Sequence, residues 1–129
     1  MKIQDCKLTK TNTCSKNETI AKVAKKLKEN NSRYVVVVEK DNPIGIISAS
    51  DLVHKATANK KDPSKTKAEE IMTQPVFVVK EDEDAKKAFI AMVKKGLNSC
   101  PVVDNNNRCI GNISLLELIT KLHKNEAWR

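Results

Sequence analysis

The chain has 129 residues, of which 40% are hydrophobic, 31% are charged and 3% are aromatic. This length suits one compact module that buries about two thirds of its unfolded surface, and the low aromatic content argues against an enzyme pocket lined with rings. An excess of 24 Lys and Arg over 16 Asp and Glu gives a net charge of +8, which permits binding to polyanions without requiring it.

The first residues are polar, and nowhere do about 18 apolar residues follow one another, the length that a membrane span needs. We therefore expect a cytoplasmic protein without membrane contact. The four cysteines lack the Cys-x-x-Cys spacing of zinc and redox sites, so we predict no metal site. Three of them, Cys14, Cys100 and Cys109, fall in predicted strands and are expected to be small buried side chains.

In chain order, the first predicted element is a one-sided helix that ends at Asn30-Asn31, and a similar helix 65 residues later ends at Gly96. Apolar residues recur at helical spacing in both. They are Ile20, Val23, Ala24 and Leu27 in the first helix, and Ala85, Ala88, Phe89, Met92 and Val93 in the second.

Each helix is followed by an apolar run, a polar turn and a second apolar run, which predicts a hairpin of buried strands. The predicted strands are residues 34–38 and 44–47, and residues 100–103 and 109–113. A closing helix follows each hairpin. Its apolar positions are Leu52, Val53 and Ala56 in the first copy, and Leu115, Leu118, Ile119 and Leu122 in the second.

These elements describe an internal repeat. The lysine-rich segment 59–66 has no apolar period and contains Pro63, so it is predicted to link a first repeat, 1–58, to a second, 67–129. The opening segments of the two repeats also correspond, with Ile3 to Cys6 matching Ala68 to Ile71. We expect an α+β fold in which two β-α-β-β-α repeats pack sheet to sheet around a pseudo-two-fold axis.

The stretch Gly45-Ile46-Ile47-Ser48-Ala49-Ser50-Asp51 recurs 66 positions later as Gly111-Asn112-Ile113-Ser114-Leu115-Leu116-Glu117. Each serine with its carboxylate fits a capping box at a helix start. The same atoms suit a nucleotide, because a helix N-terminus attracts phosphate and a carboxylate accepts ribose hydroxyls. The residue types alone do not separate these interpretations.

Three short sequence motifs add to the evidence from the repeat. Glu70-Ile71-Met72-Thr73 resembles an opening Asp-Ile-Met-Thr, Cys100-Pro101-Val102-Val103-Asp104 resembles a Leu-Pro-Val-Val-Asp strand, and residues 45–51 match Gly-x-hydrophobic-Ser/Thr-x-x-Asp. With these motifs and the repeat together, the whole chain resembles a tandem pair of CBS domains, the family named after cystathionine β-synthase.

This resemblance implies a regulatory, non-catalytic module that binds AMP, ADP, ATP or S-adenosylmethionine in the cleft between repeats, assembles as a homodimer and acts on an unidentified protein partner. Asp51 would accept the ribose hydroxyls, Ser48 would bond phosphate or ribose, and Ile46 in the Gly45 strand would flank adenine. Arg33 would face a phosphate and Thr11 the adenine.

The resemblance places a possible second site in the second repeat, at Val76, Asn112, Ser114 and Glu117. There the usual aspartate is replaced by Glu117 and an apolar residue by Asn112. We therefore expect one competent site, in the first repeat.

Other functions remain open on the sequence. The substitutions at the second site are compatible with a structural dimerisation module that has lost its ligand. The lysine excess permits nucleic-acid binding, although most lysines lie on the polar faces of predicted helices. The two histidines, His54 and His123, occur on the closing helices without a nucleophile pattern, which argues against an enzyme. Trp128 is either an interface residue or exposed.

Overall fold

The computed structural model describes residues 1–124, so Trp128 lies outside the described residues. A short 3₁₀ helix, Ile3–Asp5, opens the first repeat. The first repeat contains β1 (Thr13–Ser15), α1 (Ile20–Glu29), β2 (Tyr34–Glu39), β3 (Asn42–Ser48) and α2 (Ala49–Asp51), which continues as a π-helical segment, Leu52–Thr57. The second contains α3 (Ala68–Ile71), β4 (Val79–Lys80), α4 (Ala85–Lys95), β5 (Ser99–Val103), β6 (Cys109–Ser114) and α5 (Leu115–Lys124).

The strands form two three-stranded sheets with the same topology. β2 pairs parallel to β1 and antiparallel to β3, and β5 pairs parallel to β4 and antiparallel to β6. In the two hairpins Val36 lies opposite Ile46, and Val102 lies opposite Gly111. The predicted α+β class, the two hairpins and the β-α-β-β-α order of each repeat are confirmed.

Local sequence signals explain where the longer helices begin and end. The side chain of Thr19 accepts the N–H of Lys22 at the start of α1, and Asp84 accepts the N–H of Lys87 at the start of α4. The helix α4 ends at Gly96, whose φ of 69° lies in the left-handed region that glycine adopts without strain. The helix stops predicted at Asn30-Asn31 and Gly96 are therefore confirmed.

The chain divides into two compact units whose boundaries differ from those of the repeats. Residues Asn12–Val76 form one, here called the first-repeat unit, and Met1–Thr11 joins the chain from Phe77 onward to form the other, the second-repeat unit. The opening segment of each repeat is therefore built into the unit of the other repeat.

The hydrophobic cores show this exchange directly. In the first-repeat unit, Ile71 and Ala68 pack in one cluster with Val37 and Ile47 of the sheet. In the second-repeat unit, Ile3 and Cys6 belong to the core that contains the sheet and helix residues Val102, Ile113 and Leu118. Ile3 is fully buried although it is only the third residue.

Several apolar positions predicted to face the core are exposed. Val53, Val93 and Ile119 are 58%, 51% and 36% exposed, respectively. Each directly follows an inward-facing residue, and neighbours on an α-helix point about 100° apart, so a narrow core leaves the second of them outside. At Val53 the prediction also assumed α-helical spacing, whereas the segment is π-helical.

Of the three cysteines predicted to be buried, Cys14 and Cys100 are buried. Burial raises the pKa of Cys14 to about 11 and that of Cys100 to about 12, so both thiols stay neutral at pH 7. Cys109 is half-buried, and its predicted full burial is wrong because it begins β6 at the end of the hairpin. Within residues 1–124, no helix is long and apolar enough to cross a membrane.

Candidate functional site

The junction of β3 and α2 forms the predicted capping box. Ser48 keeps extended backbone angles and its hydroxyl accepts the N–H of Asp51 at 3.2 Å. In return, Oδ2 of Asp51 accepts the N–H of Ser48 at 2.8 Å. Such a cap contributes about 1 kcal/mol to helix stability, and it fixes the Asp51 carboxylate at the end of the strand.

The second carboxylate oxygen of Asp51 faces away from the cap toward two further side chains. Oδ1 accepts the hydroxyl of Thr73 at 3.1 Å and lies 3.3 Å from the ammonium of Lys55. The Asp51 side chain is 14% exposed. Burial raises its pKa, but the hydrogen bonds from Ser48, Thr73 and Lys55 outweigh burial and lower the pKa below its ordinary value. Asp51 is therefore an ionised hydrogen-bond acceptor at neutral pH.

Backbone pairing positions Thr73 beside this carboxylate. Thr73 and Ile46 exchange N–H···O bonds of 2.8 and 3.0 Å, which attaches the segment after α3 to the edge of β3. A Cβ atom on Gly45 would lie 2.5 Å from Sδ and 3.0 Å from Cβ of Met72. Glycine at position 45 thus permits the close approach that brings Thr73 to Asp51.

Sequence reasoning missed Thr73 and Lys55 as parts of this site. Thr73 was present in the opening motif, but its contact with Asp51 depends on a pairing between segments 27 positions apart along the chain. Lys55 could have been found, because a lysine four residues after an aspartate on one helix is close enough to pair with it.

The remaining first-site residues are placed as follows. The carbonyl oxygen of Arg33 accepts the N–H of Ala49 at 3.3 Å, so its backbone adjoins the helix start while its side chain is exposed. Ile46 is half-buried beside Thr73. Thr11 belongs to the second-repeat unit, and its hydroxyl oxygen is enclosed without a hydrogen-bond partner among the described residues. The ligand contacts of these three residues stay predictions.

The corresponding position in the second repeat has a different arrangement. The hydroxyl of Ser114 accepts the N–H of Glu117 at 3.0 Å, but Oε2 of Glu117 accepts the N–H of Lys7 at 2.7 Å. Among the described residues the reciprocal bond to Ser114 is missing, so the capping box predicted here is only half formed. The carboxylate of Glu117 thus bonds the N-terminal segment in place of the cap.

Lys7, whose N–H donates to Glu117, has no counterpart in the opening segment of the second repeat. Leu8 and Thr9 take the places of Met72 and Thr73 at a separation of 64, whereas the helical turns before them are 65 apart, so Lys7 is the additional residue. A Cβ on Gly111 would lie 3.1 Å from Cβ of Leu8, which matches the contact between Gly45 and Met72.

Thr9 and Asn112 occupy the positions of Thr73 and Ile46, but the threonine hydroxyl has a different acceptor. They exchange N–H···O bonds of 2.9 Å, but the Thr9 hydroxyl donates to the Asn112 carbonyl at 3.5 Å and not to a carboxylate. Glu117 therefore anchors the N-terminal segment, and its geometry is not that of Asp51. Val76, the other residue predicted for the second site, is half-buried at the end of the first-repeat unit.

Comparison with known proteins gives relatives over nearly the whole chain. An uncharacterized protein of Methanopyrus kandleri is 41% identical over 108 residues, which is 83% of this chain and 55% of that protein. The CBS domain pair of protein MJ0100, solved in complex with 5'-methylthioadenosine and S-adenosyl-L-methionine, is 30% identical with a TM-score of 0.77 over 98% of both chains. This chain spans about half the length of the Methanopyrus relative.

The cytosolic domain of the Mg²⁺ channel MgtE in complex with ATP has a TM-score of 0.73 at 25% identity, over 87% of this chain and 45% of that one. The family model for the CBS domain matches twice, at residues 6–57 and 68–124. The two matches coincide with the two β-α-β-β-α repeats, so the chain belongs to the CBS domain family and carries a tandem pair of these domains.

Proposed function

We propose that this CBS domain pair is a regulatory module that binds an adenosyl nucleotide through Asp51. The observation that carries the proposal is the ionised, mostly buried Asp51 carboxylate, fixed by Ser48 at a helix start and bonded on its outer oxygen by side chains that a ligand can displace. Two adjacent ribose hydroxyls provide the pair of donors that such a carboxylate accepts.

The other first-site residues would then act as the resemblance implies. The Ser48 hydroxyl would bond ribose or phosphate, Ile46 in the Gly45 strand would flank adenine, and Arg33 would face a phosphate. Adenosyl ligands named with the MJ0100 and MgtE structures point to the same ligand class.

The module would act without catalysis. A ligand that binds one arrangement of the pair more tightly shifts the population toward it, and an unidentified partner protein would respond to that arrangement. We place this activity in the cytoplasm, where the four free thiols would persist.

Titration calorimetry with adenosine, AMP, ADP, ATP and S-adenosylmethionine tests the proposal, with guanosine and GMP as matched controls. We expect one adenosyl ligand per chain, because the second-repeat carboxylate is already bonded to the N-terminal segment. The bound ligand should also raise the melting temperature, since saturation at 100 times Kd adds about 2.7 kcal/mol to the unfolding free energy. No heat and no thermal shift with any adenosyl compound would contradict the proposal.

A homodimer, with or without ligand, is favoured by the helices of the second-repeat unit. The packed helices α4 and α5 each leave an exposed apolar pair at i,i+3 spacing, which falls on one helix face. These pairs are Ile90 and Val93, and Leu116 and Ile119. Apolar surface of this kind is typical of an interface.

Leu116→Glu should weaken such a dimer at least about 10-fold, because a charge would enter a site that buries a leucine. Sedimentation velocity across a concentration series measures the change. Val53→Glu, at an exposed apolar position of the first-repeat unit, is the control and should leave the mass unchanged. A wild-type chain that stays monomeric at high concentration would refute the dimer.

A further inference from the structure

The side chains of Lys55, Thr73 and Asp51 contact one another at Oδ1 of the Asp51 carboxylate. Its ammonium donates to Oγ1 of Thr73 at 2.8 Å and lies 3.3 Å from Oδ1 of Asp51, while Thr73 donates to the same oxygen at 3.1 Å. The Lys55 side chain is 42% exposed, against 14% for Asp51, so the lysine is the more accessible member of the pair. A ligand that binds Oδ1 must compete there with Lys55 and Thr73.

The second repeat offers a natural comparison. Lys121 stands 66 positions after Lys55, as Glu117 does after Asp51. Within the described residues, however, Lys121 makes no ion pair with Glu117, whose carboxylate is bonded to Lys7. The lysine is therefore present in both repeats, but it contacts the carboxylate only in the first.

We infer that Lys55 determines ligand specificity by selecting adenosyl ligands that carry a phosphate. This inference rests on the proposed function and narrows its ligand class. Ribose hydroxyls that donate to Asp51 compete with Lys55 and Thr73 for Oδ1, because a carboxylate oxygen has two lone pairs. The displaced ammonium keeps three donors and a full positive charge at a half-buried position, and it needs a new acceptor.

A phosphate on the same nucleotide is the best available acceptor. The four-carbon stem of lysine lets the ammonium turn from Asp51 toward a group attached to the ribose, and lysine binds phosphate as a point charge. A neutral nucleoside leaves the ammonium without a partner other than water. A ligand with a cationic sulfonium adds a like charge instead. AMP, ADP and ATP should therefore bind more tightly than adenosine, and S-adenosylmethionine less tightly than AMP.

The test compares Lys55→Gln with the matched variant Lys121→Gln, using calorimetric Kd values for AMP and adenosine. Wild type should bind AMP at least about 10-fold more tightly than adenosine. Lys55→Gln should lose about 10-fold for AMP, while adenosine binds equally well or better because Oδ1 has one competitor fewer. Lys121→Gln should leave both Kd values unchanged.

Three results would overturn the inference: an equal loss for AMP and adenosine in Lys55→Gln, unchanged affinities in that variant, or tighter wild-type binding of S-adenosylmethionine than of AMP. In each of these cases adenosine or another adenosyl ligand still binds, so the proposed function survives. Absence of binding by every adenosyl compound overturns both together. Circular dichroism of each variant establishes that it is folded.

Discussion

Replacing Asp51 by asparagine should weaken adenosyl ligand binding at least about 100-fold. The amide keeps the size of the side chain but offers one acceptor oxygen without charge, so it loses hydrogen bonds of a charged group that contribute about 1.5 to 3 kcal/mol each. Calorimetry with AMP and with adenosine measures the loss. Both ligands should be affected, because the change acts on the ribose that they share.

Asp84→Asn is the matched control for this experiment. Asp84 also accepts a backbone N–H at a helix start, that of Lys87 at 3.0 Å, so the substitution removes a similar cap outside the site. It should lower stability by about 1 kcal/mol or less and leave ligand affinity unchanged. Ligand binding by Asp51→Asn within a few-fold of wild type would refute the assignment of the site.

Stability against acid gives a second measure of the same carboxylate. The pKa of folded Asp51 lies below its ordinary value of 3.8, so its ionised form stabilises the fold fully above that pH, and this contribution is lost as the pH falls through the folded pKa. The difference in unfolding free energy between wild type and Asp51→Asn should therefore be largest near neutral pH and shrink below pH 3.8. If the difference in unfolding free energy does not depend on pH, the charge of Asp51 does not stabilise the fold.

Replacing Ile3 by alanine should lower the unfolding free energy by about 2 to 5 kcal/mol, as for a large aliphatic residue in any packed core. The side chain is 0% exposed and packs with Cys6, Val102 and Leu118. Urea unfolding monitored by circular dichroism measures the change.

The matched control is Ile110→Ala, the same substitution at a side chain that is 44% exposed in the same unit. It should cost less than about 1 kcal/mol, since little apolar surface is removed from the core. If Ile3→Ala costs no more than this control, the N-terminal segment is not part of the core of the second-repeat unit.

Most of the fold was predictable because its signals are local. Helix periodicity, the stops at Asn31 and Gly96, and the two hairpins depend on residues near one another in the chain. The Ser48–Asp51 box was predictable for the same reason. Its counterpart at Glu117 was predicted only in part: the Ser114 hydroxyl accepts the N–H of Glu117, but the carboxylate bonds the backbone N–H of Lys7, 110 positions away in the chain.

Two features were not predictable because they depend on contacts between distant segments. These are the exchange of the opening segments between the units and the contact of Thr73 with Asp51. A periodic pattern shows that Ile3 and Ile71 face a core, but it does not say which core. The contact of Thr73 with Asp51 requires its strand-like pairing with Ile46, and one motif alone gives no register between distant segments. Side-chain chemistry identified Asp51 and Ser48, and tertiary pairing supplied Thr73.

The exchanged opening segments also set an order of folding. The first-repeat unit is one continuous stretch that ends at Val76, so it can fold as soon as that residue has been synthesised. The core around Ile3 must wait until Leu118 and Leu122 of α5 exist, and closing so long a loop is entropically costly and slow. During synthesis, Ile3 and Cys6 therefore lack these core partners until α5 has been made.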